Sequence, residues 1–336
     1  MNSEHGSGVS TVGFEALCDE VWLSEILEKR GLEVPNQVWD QVLLDPARTF
    51  LSRPGKGLRA KFVHLGWSLA GGKDAPPKML LAIIELLHSG SLIVDDIEDN
   101  SSKRRGVPCL HRVVGLGPAL NVGNWMYFVA HALVDEIDVA ESIKYVLYRE
   151  LNRTLLRCHH GQGLDLGVRV FDLDQDSVPG LVEASTRLKT GALTGLALRL
   201  GGVTLGQPAD ENLELSVFGE RVGVGLQMYD DYSGVVTQAR AHKGIEDLRM
   251  ARLTWPWAWL ARCQPAEVFT SLQKEAKEPN DAEALRGRIA ELLGDAEPLI
   301  EQELNGAYQR AMPLFRDNKK RAMVDRALAQ LKVSYL

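Results

Sequence analysis

Apolar residues recur at helical spacing through most of the chain. Leu80, Ile83, Ile84, Leu87 and Leu92 form one such series, directly before Asp95. Leu188, Leu193, Leu196, Leu198 and Leu200 form another. Helical spacing predominates from Phe14 onward, whereas residues 1–12 are polar, show no periodicity and are expected to be disordered. No convincing period-two alternation occurs; Val168 to Leu173 comes nearest and is short. Gly71-Gly72, Val178-Pro179-Gly180, Gly201-Gly202 and Gln207-Pro208 are read as breaks between helices. Residues 279–286, containing Pro279, Asn280 and Asp281, read as a loop before the last helices. No Pro/Ser-rich linker and no short repeat divides the chain. The pattern predicts one all-α domain over residues 13–336.

Composition narrows the function more than the fold. The 336 residues, 45% hydrophobic and 25% charged, can bury a sizeable core. A net charge of −7 argues against a broad basic face, so no nucleic-acid partner is expected. Met79 to Val94 is the most apolar stretch, but Glu85 and His88 interrupt it and it is too short to span a bilayer. It reads as a buried helix, and no integral membrane segment is expected. Cys18, Cys109, Cys158 and Cys263 lie far apart with no CxxC pair, which argues against a zinc site or a disulfide framework and for a reducing cytoplasm. The N-terminus carries no basic-then-apolar signal pattern, in keeping with a cytoplasmic location.

The sharpest chemical feature is Asp95-Asp96-Ile97-Glu98-Asp99 at the end of the apolar helix. Asp95 and Asp99 are four apart and share one helix face, where their charges repel. A hard divalent cation with oxygen ligands offsets that repulsion. A second acidic pair, Asp230-Asp231, follows another apolar segment, Val222 to Leu226. Two such pairs suggest carboxylate clusters around shared cations. Basic residues punctuate the same regions: Gly55-Lys56-Gly57-Leu58-Arg59, Arg104-Arg105-Gly106, Lys189-Thr190-Gly191, Lys243 and Arg252. Arginine forks and lysine point charges suit diphosphate oxygens. Gly55-Lys56 lacks the spacing of a Walker A loop, which excludes a P-loop ATPase reading.

Taken together, these motifs resemble the trans-isoprenyl diphosphate synthases of the polyprenyl synthetase family. The resemblance rests on Lys56-x-x-Arg59, Asp95-Asp96-x-x-Asp99 with Arg104-Arg105-Gly106, Gly161-Gln162-x-x-Asp165-Leu166, Lys189-Thr190-Gly191 and Gln227-x-x-Asp230-Asp231, in that order. It implies the isoprenoid synthase fold, a helical bundle around a deep central cavity, usually as a homodimer. It implies a prenyltransferase that ionises an allylic diphosphate and joins the cation to isopentenyl diphosphate. It further implies Mg²⁺ as cofactor, several ions binding with the diphosphate at Asp95, Asp96, Asp99, Asp230 and Asp231. Lys56, Arg59, His88 and Arg105 match the clamp for isopentenyl diphosphate; Arg104, Lys189 and Lys243 match the allylic diphosphate site. Thr190 and Gln227 match positions lining the reaction centre, and Gln162 and Asp165 the motif supporting it.

The chain departs from the family pattern in places. Gly234 stands where the second acidic motif usually has its last Asp, and Arg252 where a Lys is common. The spacing from Lys243 to Asp247 is one residue short of that pattern. Gly90 and Ser91 are small where short-chain enzymes carry bulky aromatics. The resemblance then puts the cavity floor deeper, at Trp125, Met126 or Phe128, and implies products of roughly C20 or longer. A terpene cyclase on the same fold is the nearest alternative, but it has no use for the Lys56, Arg59, His88 and Arg105 clamp. A non-catalytic partner subunit is another; it leaves the retained carboxylates without a ligand to offset their burial. A di-iron carboxylate bundle matches Glu85-Leu86-Leu87-His88, but no second copy of that spacing exists.

Overall fold

The computed structural model describes residues 34–53, 55, 57–278, 281–315 and 317–333. The expected disordered segment 1–12, Cys18 and the candidate ligand Lys56 lie outside the described residues. The helices run in the order α1 (Asn36–Trp39), a π segment (Asp40–Leu44), α2 (Asp45–Leu51), α3 (Leu58–Leu69), α4 (Lys78–Glu98), α5 (Leu110–Val114), α6 (Leu116–Ala132) and α7 (Glu141–Gly167). After α7 come α8 (Val178–Thr186), a second π segment (Arg187–Gly191), α9 (Ala192–Thr204), α10 (Ala209–Val236), α11 (Ala241–Arg249) and α12 (Trp255–Cys263). The last helices are α13 (Ala266–Lys277), α14 (Ala282–Leu293), α15 (Glu297–Ala311) and α16 (Asn318–Val333). The sequence predicts one domain; the described helices group into two compact units, residues 34–64 with 71–148 and residues 65–70 with 149–333.

In the first unit α4 packs along α6. Leu80, Ile83, Ile84, Leu87 and Ile93 of α4 are buried, as are Val122, Met126 and Val129 of α6. Each such side chain contributes about 1.5–3 kcal/mol by leaving water. The helices approach closely because Gly90 faces Gly123: a Cβ on Gly90 would lie 2.7 Å from the Gly123 carbonyl oxygen and 3.1 Å from the Tyr127 ring. Gly90 is therefore a helix contact, and of the two small positions only Ser91 is left half-buried. Phe128 is 73% exposed, which removes it from the expected cavity floor. Its place in the 3.6-residue repeat puts it opposite the buried Met126 and Val129 stripe.

In the second unit α9 and α10 pack along a seam of glycines four apart. A Cβ on Gly195 would meet the Ser216 carbonyl at 2.7 Å, and one on Gly223 would meet Gly191 Cα at 2.9 Å. The seam brings Thr190 beside Gln227. A tryptophan-rich core of Trp255, Trp257 and Trp259 with Phe269 and Leu272 backs the motif end of α10.

Several expected breaks differ. Gly201-Gly202 lies inside α9, where the missing Cβ atoms give room to the Trp67 backbone and the Asn212 side chain. Val178-Pro179-Gly180 opens α8 instead of ending a helix, proline fitting the first turn. The loop expected over 279–286 is shorter, because Asp281 accepts from Glu283 and Ala284 N–H and starts α14 at Ala282. Val168 to Leu173 forms a 3₁₀ turn (Val170–Asp172), not a strand. The strands among the described residues are β1 (Lys103–Arg104) and β2 (Val107–Pro108), two residues each.

Candidate active site

The first acidic motif closes α4. The helix ends in a Schellman arrangement: Ser101 N–H donates to the Asp96 carbonyl at 2.9 Å, Asn100 N–H to the Ile97 carbonyl at 3.1 Å, and Asn100 is left-handed with φ 52°. Arg112, which the sequence reading did not single out, ties this turn down by donating to the Asn100 carbonyl at 2.9 Å and its Oδ1 at 2.6 Å. Asp95, Asp96 and Asp99 thus crowd the negative end of a helix dipole, an unfavourable place for carboxylates. Arg104 answers part of that charge. Its Nε donates to Asp96 Oδ1 at 2.7 Å and its Nη2 to Asp95 Oδ2 at 3.2 Å. Burial works against the Arg104 charge, but Asp96 and Asp95 more than offset it and raise its pKa.

Arg104 is aimed by the β1–β2 hairpin, in which Lys103 pairs with Pro108 and Arg104 with Val107. The two turn residues, Arg105 at φ 54° and Gly106 at φ 82°, are both left-handed, as a tight two-residue hairpin requires. Glycine adopts this freely; arginine does not. The strained Arg105 side chain fills space left open by Gly55, whose Cβ would lie 2.8 Å from Arg105 Nη1. That explains Gly55 and Gly106 on physical grounds.

Arg59 and His88 meet in the same unit, with Arg59 Nη1 2.8 Å from His88 Nε2. A guanidinium only donates, so His88 Nε2 accepts and the imidazole is neutral. Burial first, then Arg59, Arg105 and Arg104, hold its pKa well below the usual histidine range. Glu85 stands one turn earlier on α4. Burial raises its carboxyl pKa, against the pull of Arg59 and Arg105, and it accepts from the Ala60 N–H in the first turn of α3. Glu85 and His88 therefore serve an arginine and a helix end, which accounts for the Glu-x-x-His spacing without iron.

In the second unit a hydrogen-bonded chain links the remaining motifs. Thr190 Oγ1 donates to Gln227 Oε1 at 3.1 Å, and Gln227 Nε2 to Asp231 Oδ1 at 2.8 Å. Asp231 Oδ2 accepts from the Trp255 N–H at 3.0 Å, so this carboxylate caps α12. Burial pushes the Asp231 pKa up to about 6, with Lys243 and these two bonds opposing. Lys189, in the π segment, donates to Asp165 Oδ2 at 2.6 Å, and Arg252 donates to the Asp165 carbonyl at 2.5 Å. Single π turns are frequent at functional positions. Asp230 accepts from Arg240 Nη2 at 2.7 Å and from Lys243 Nζ. Burial would raise the Asp230 pKa, but Lys243 and Arg240 bring it down to about 2. Arg240 is absent from the sequence-based candidates; its only signal is a cation ten residues beyond Asp230.

The donor chemistry at Asp95 and Asp99 suits Mg²⁺, which takes one or two carboxylates together with substrate phosphates instead of an all-protein cage. Among the described residues no group of three or more His, Cys, Asp or Glu side chains forms such a cage. The expected ligands Asp96, Asp230 and Asp231 differ from that pair. Asp96 is 1% exposed and turned onto Arg104, and both oxygens of Asp230 and of Asp231 accept from protein donors.

The polyprenyl synthetase family profile matches residues 40–289. The chain is 30% identical over 280 residues to the geranylgeranyl pyrophosphate synthase dpasD of Apiospora sacchari, covering 78% of this chain and 80% of that protein. The solved geranylgeranyl pyrophosphate synthase of Corynebacterium glutamicum, complexed with isoprenyl diphosphate and magnesium, superposes with TM-score 0.76 at 20% identity, covering 97% of this chain and 98% of that one. A decaprenyl diphosphate synthase from Rhodobacter capsulatus superposes with TM-score 0.71 at 20% identity over 96% and 98% of the two chains. These structural likenesses establish the isoprenoid synthase fold. The chain belongs to the polyprenyl synthetase family and is a prenyltransferase, a prenyl diphosphate synthase.

Proposed function

We propose that the enzyme condenses isopentenyl diphosphate with an allylic prenyl diphosphate, giving a longer all-trans prenyl diphosphate of roughly C20 or longer. The C–O bond of the allylic diphosphate breaks and diphosphate leaves with the electron pair. The isopentenyl double bond attacks the allylic cation, a C–C bond forms, and a proton is lost from the new cation. Asp95 and Asp99 would hold Mg²⁺, which when bound adds positive charge to the departing diphosphate oxygens. Arg104 orients Asp95. Lys189, fixed by Asp165, would offer a cation to diphosphate oxygens, and Thr190 with Gln227 matches, by resemblance, positions lining the reaction centre. Asp96 and Asp231 position Arg104 and α12. Apolar side chains keep water from the allylic cation.

The Arg59–His88 pair carries the condensing reading over ring closure. It sets a guanidinium against a half-buried neutral imidazole, with the Glu85 carboxylate nearby. With Arg105, and with Lys56 by resemblance, it forms the clamp for the second diphosphate that a cyclase lacks a use for. The geranylgeranyl pyrophosphate synthase names of the relatives favour a C20 product. We infer a homodimer from an apolar row on α6: Leu116, Leu120 and Phe128 are exposed at intervals of four and eight residues. Cys109, Cys158 and Cys263 are free thiols, which favours a cytoplasmic location. Among the described residues no helix is long and apolar enough to cross a membrane.

The test is product analysis. Purified protein is incubated with Mg²⁺, labelled isopentenyl diphosphate and dimethylallyl, geranyl or farnesyl diphosphate in turn. Label in longer prenyl alcohols, released only by phosphatase, supports the proposal. A hydrocarbon or alcohol formed without phosphatase and without label points to a cyclase.

A further inference from the structure

The two acidic motifs of this chain are unequal. The first ends in Asp99; at the same offset from Asp230 the second has Gly234. Asp231 is buried and gives both oxygens to Gln227 and Trp255. Asp230 gives one oxygen to Arg240 and the other to Lys243. A divalent cation here would have to displace Arg240 or Lys243 and would find no carboxylate at position 234. The donor set of the second motif therefore does not suit a divalent cation.

The same residues suit an anion. Arg240 is held from two sides, by Asp230 Oδ1 at 2.7 Å and by Ser233 Oγ at 2.9 Å. Those bonds use two of the five N–H groups of a guanidinium. The Arg240 side chain is 29% exposed and that of Lys243 35% exposed, so both cations reach solvent from a carboxylate that is itself mostly covered. An arginine already locked by two acceptors loses little further freedom on binding phosphate oxygens. The absence of a Cβ at Gly244, which would overlap the Gly234 carbonyl oxygen, is what lets α11, and Lys243 with it, come this near to α10.

Resting on the prenyl diphosphate reading above, we propose that Arg240 is a diphosphate-binding residue. With Lys243 it supplies positive charge to the allylic diphosphate directly at the second motif, and Asp230 positions the two cations instead of ligating metal. Binding of inorganic pyrophosphate at saturating Mg²⁺, measured by calorimetry on the full chain, gives one readout. The number of Mn²⁺ ions bound with pyrophosphate, counted by electron paramagnetic resonance, gives another. Arg240→Gln should weaken pyrophosphate binding roughly tenfold to a hundredfold, with Arg240→Lys between it and the parent protein. Asp230→Asn should leave the Mn²⁺ count unchanged. Thermal melts show whether each variant is folded; if Arg240→Gln is not, Arg240→Lys carries the comparison. An unaltered pyrophosphate affinity in the arginine variants, or a lost Mn²⁺ ion in Asp230→Asn, overturns the proposal. A parent protein that consumes no isopentenyl diphosphate and binds no pyrophosphate overturns the underlying reading as well.

Discussion

Gly234 and Gly244 meet backbone to backbone where α11 crosses α10. A Cβ on Gly244 would overlap the Gly234 carbonyl group, and one on Gly234 would lie 3.3 Å from the Gly244 nitrogen. The crossing sets Lys243 beside Asp230. Gly244→Ala should therefore cost about 1–3 kcal/mol through overpacking and push α11 away. A lower melting temperature together with a weaker affinity for the allylic diphosphate is the expected result; kinetics and a melt unchanged from the parent would sink the packing argument.

His88 acts through Arg59. His88→Leu removes one acceptor from the half-buried Arg59 guanidinium, and the KM for isopentenyl diphosphate should rise roughly tenfold to a hundredfold. His88→Gln keeps an acceptor and should retain most of the affinity. The KM for the allylic substrate should change little in either variant. Steady-state kinetics with each substrate varied separately checks the split.

Stability should carry the signature of Asp231. Its pKa stands above the ordinary 3.8, at about 6 in the folded protein, so the protonated form is favoured by folding. The stabilisation is fully present below the ordinary value and is lost as pH rises through about 6. Asp231→Asn cannot titrate, so the difference between parent and variant should vary with pH across that window. Asp230, held down to about 2, runs the other way: its contribution is present above 3.8 and fades as pH falls toward 2. Urea melts from pH 3 to pH 7 in steps would show both trends. A parent–Asp231→Asn difference independent of pH would contradict the burial argument.

Product length should respond at Ser91 and not at Phe128. Ser91→Phe puts a ring at the half-buried position one turn before Asp95 and should shorten the product. Phe128→Ala, on the exposed side of α6, should leave length unchanged. Chromatography of the phosphatase-treated products decides.

The motif chemistry was legible because charge at fixed spacing stands out against an apolar helix. Asp95, Asp99, Arg104 and Lys189 could all be found that way. Two arginines that support the motifs could not. Arg240 and Arg112 have no spacing rule, since each joins its motif through a turn. The burial of Asp96 and Asp231, both expected as ligands, is likewise invisible in sequence. The glycines misled for a related reason: Gly201 and Gly202 read as a helix break, yet they serve helix packing. The hairpin at Arg105-Gly106 is too short for any alternation to reveal.

The central claim is condensation driven from the first acidic motif. The most direct measurement is incorporation of labelled isopentenyl diphosphate against Mg²⁺ concentration, for the parent protein, Asp95→Asn and Asp99→Asn. The parent should incorporate label only with metal, and each variant should lose at least about a hundredfold in rate while keeping its circular dichroism spectrum and its affinity for isopentenyl diphosphate. Incorporation that survives chelation, or variants that work as fast as the parent, would contradict it.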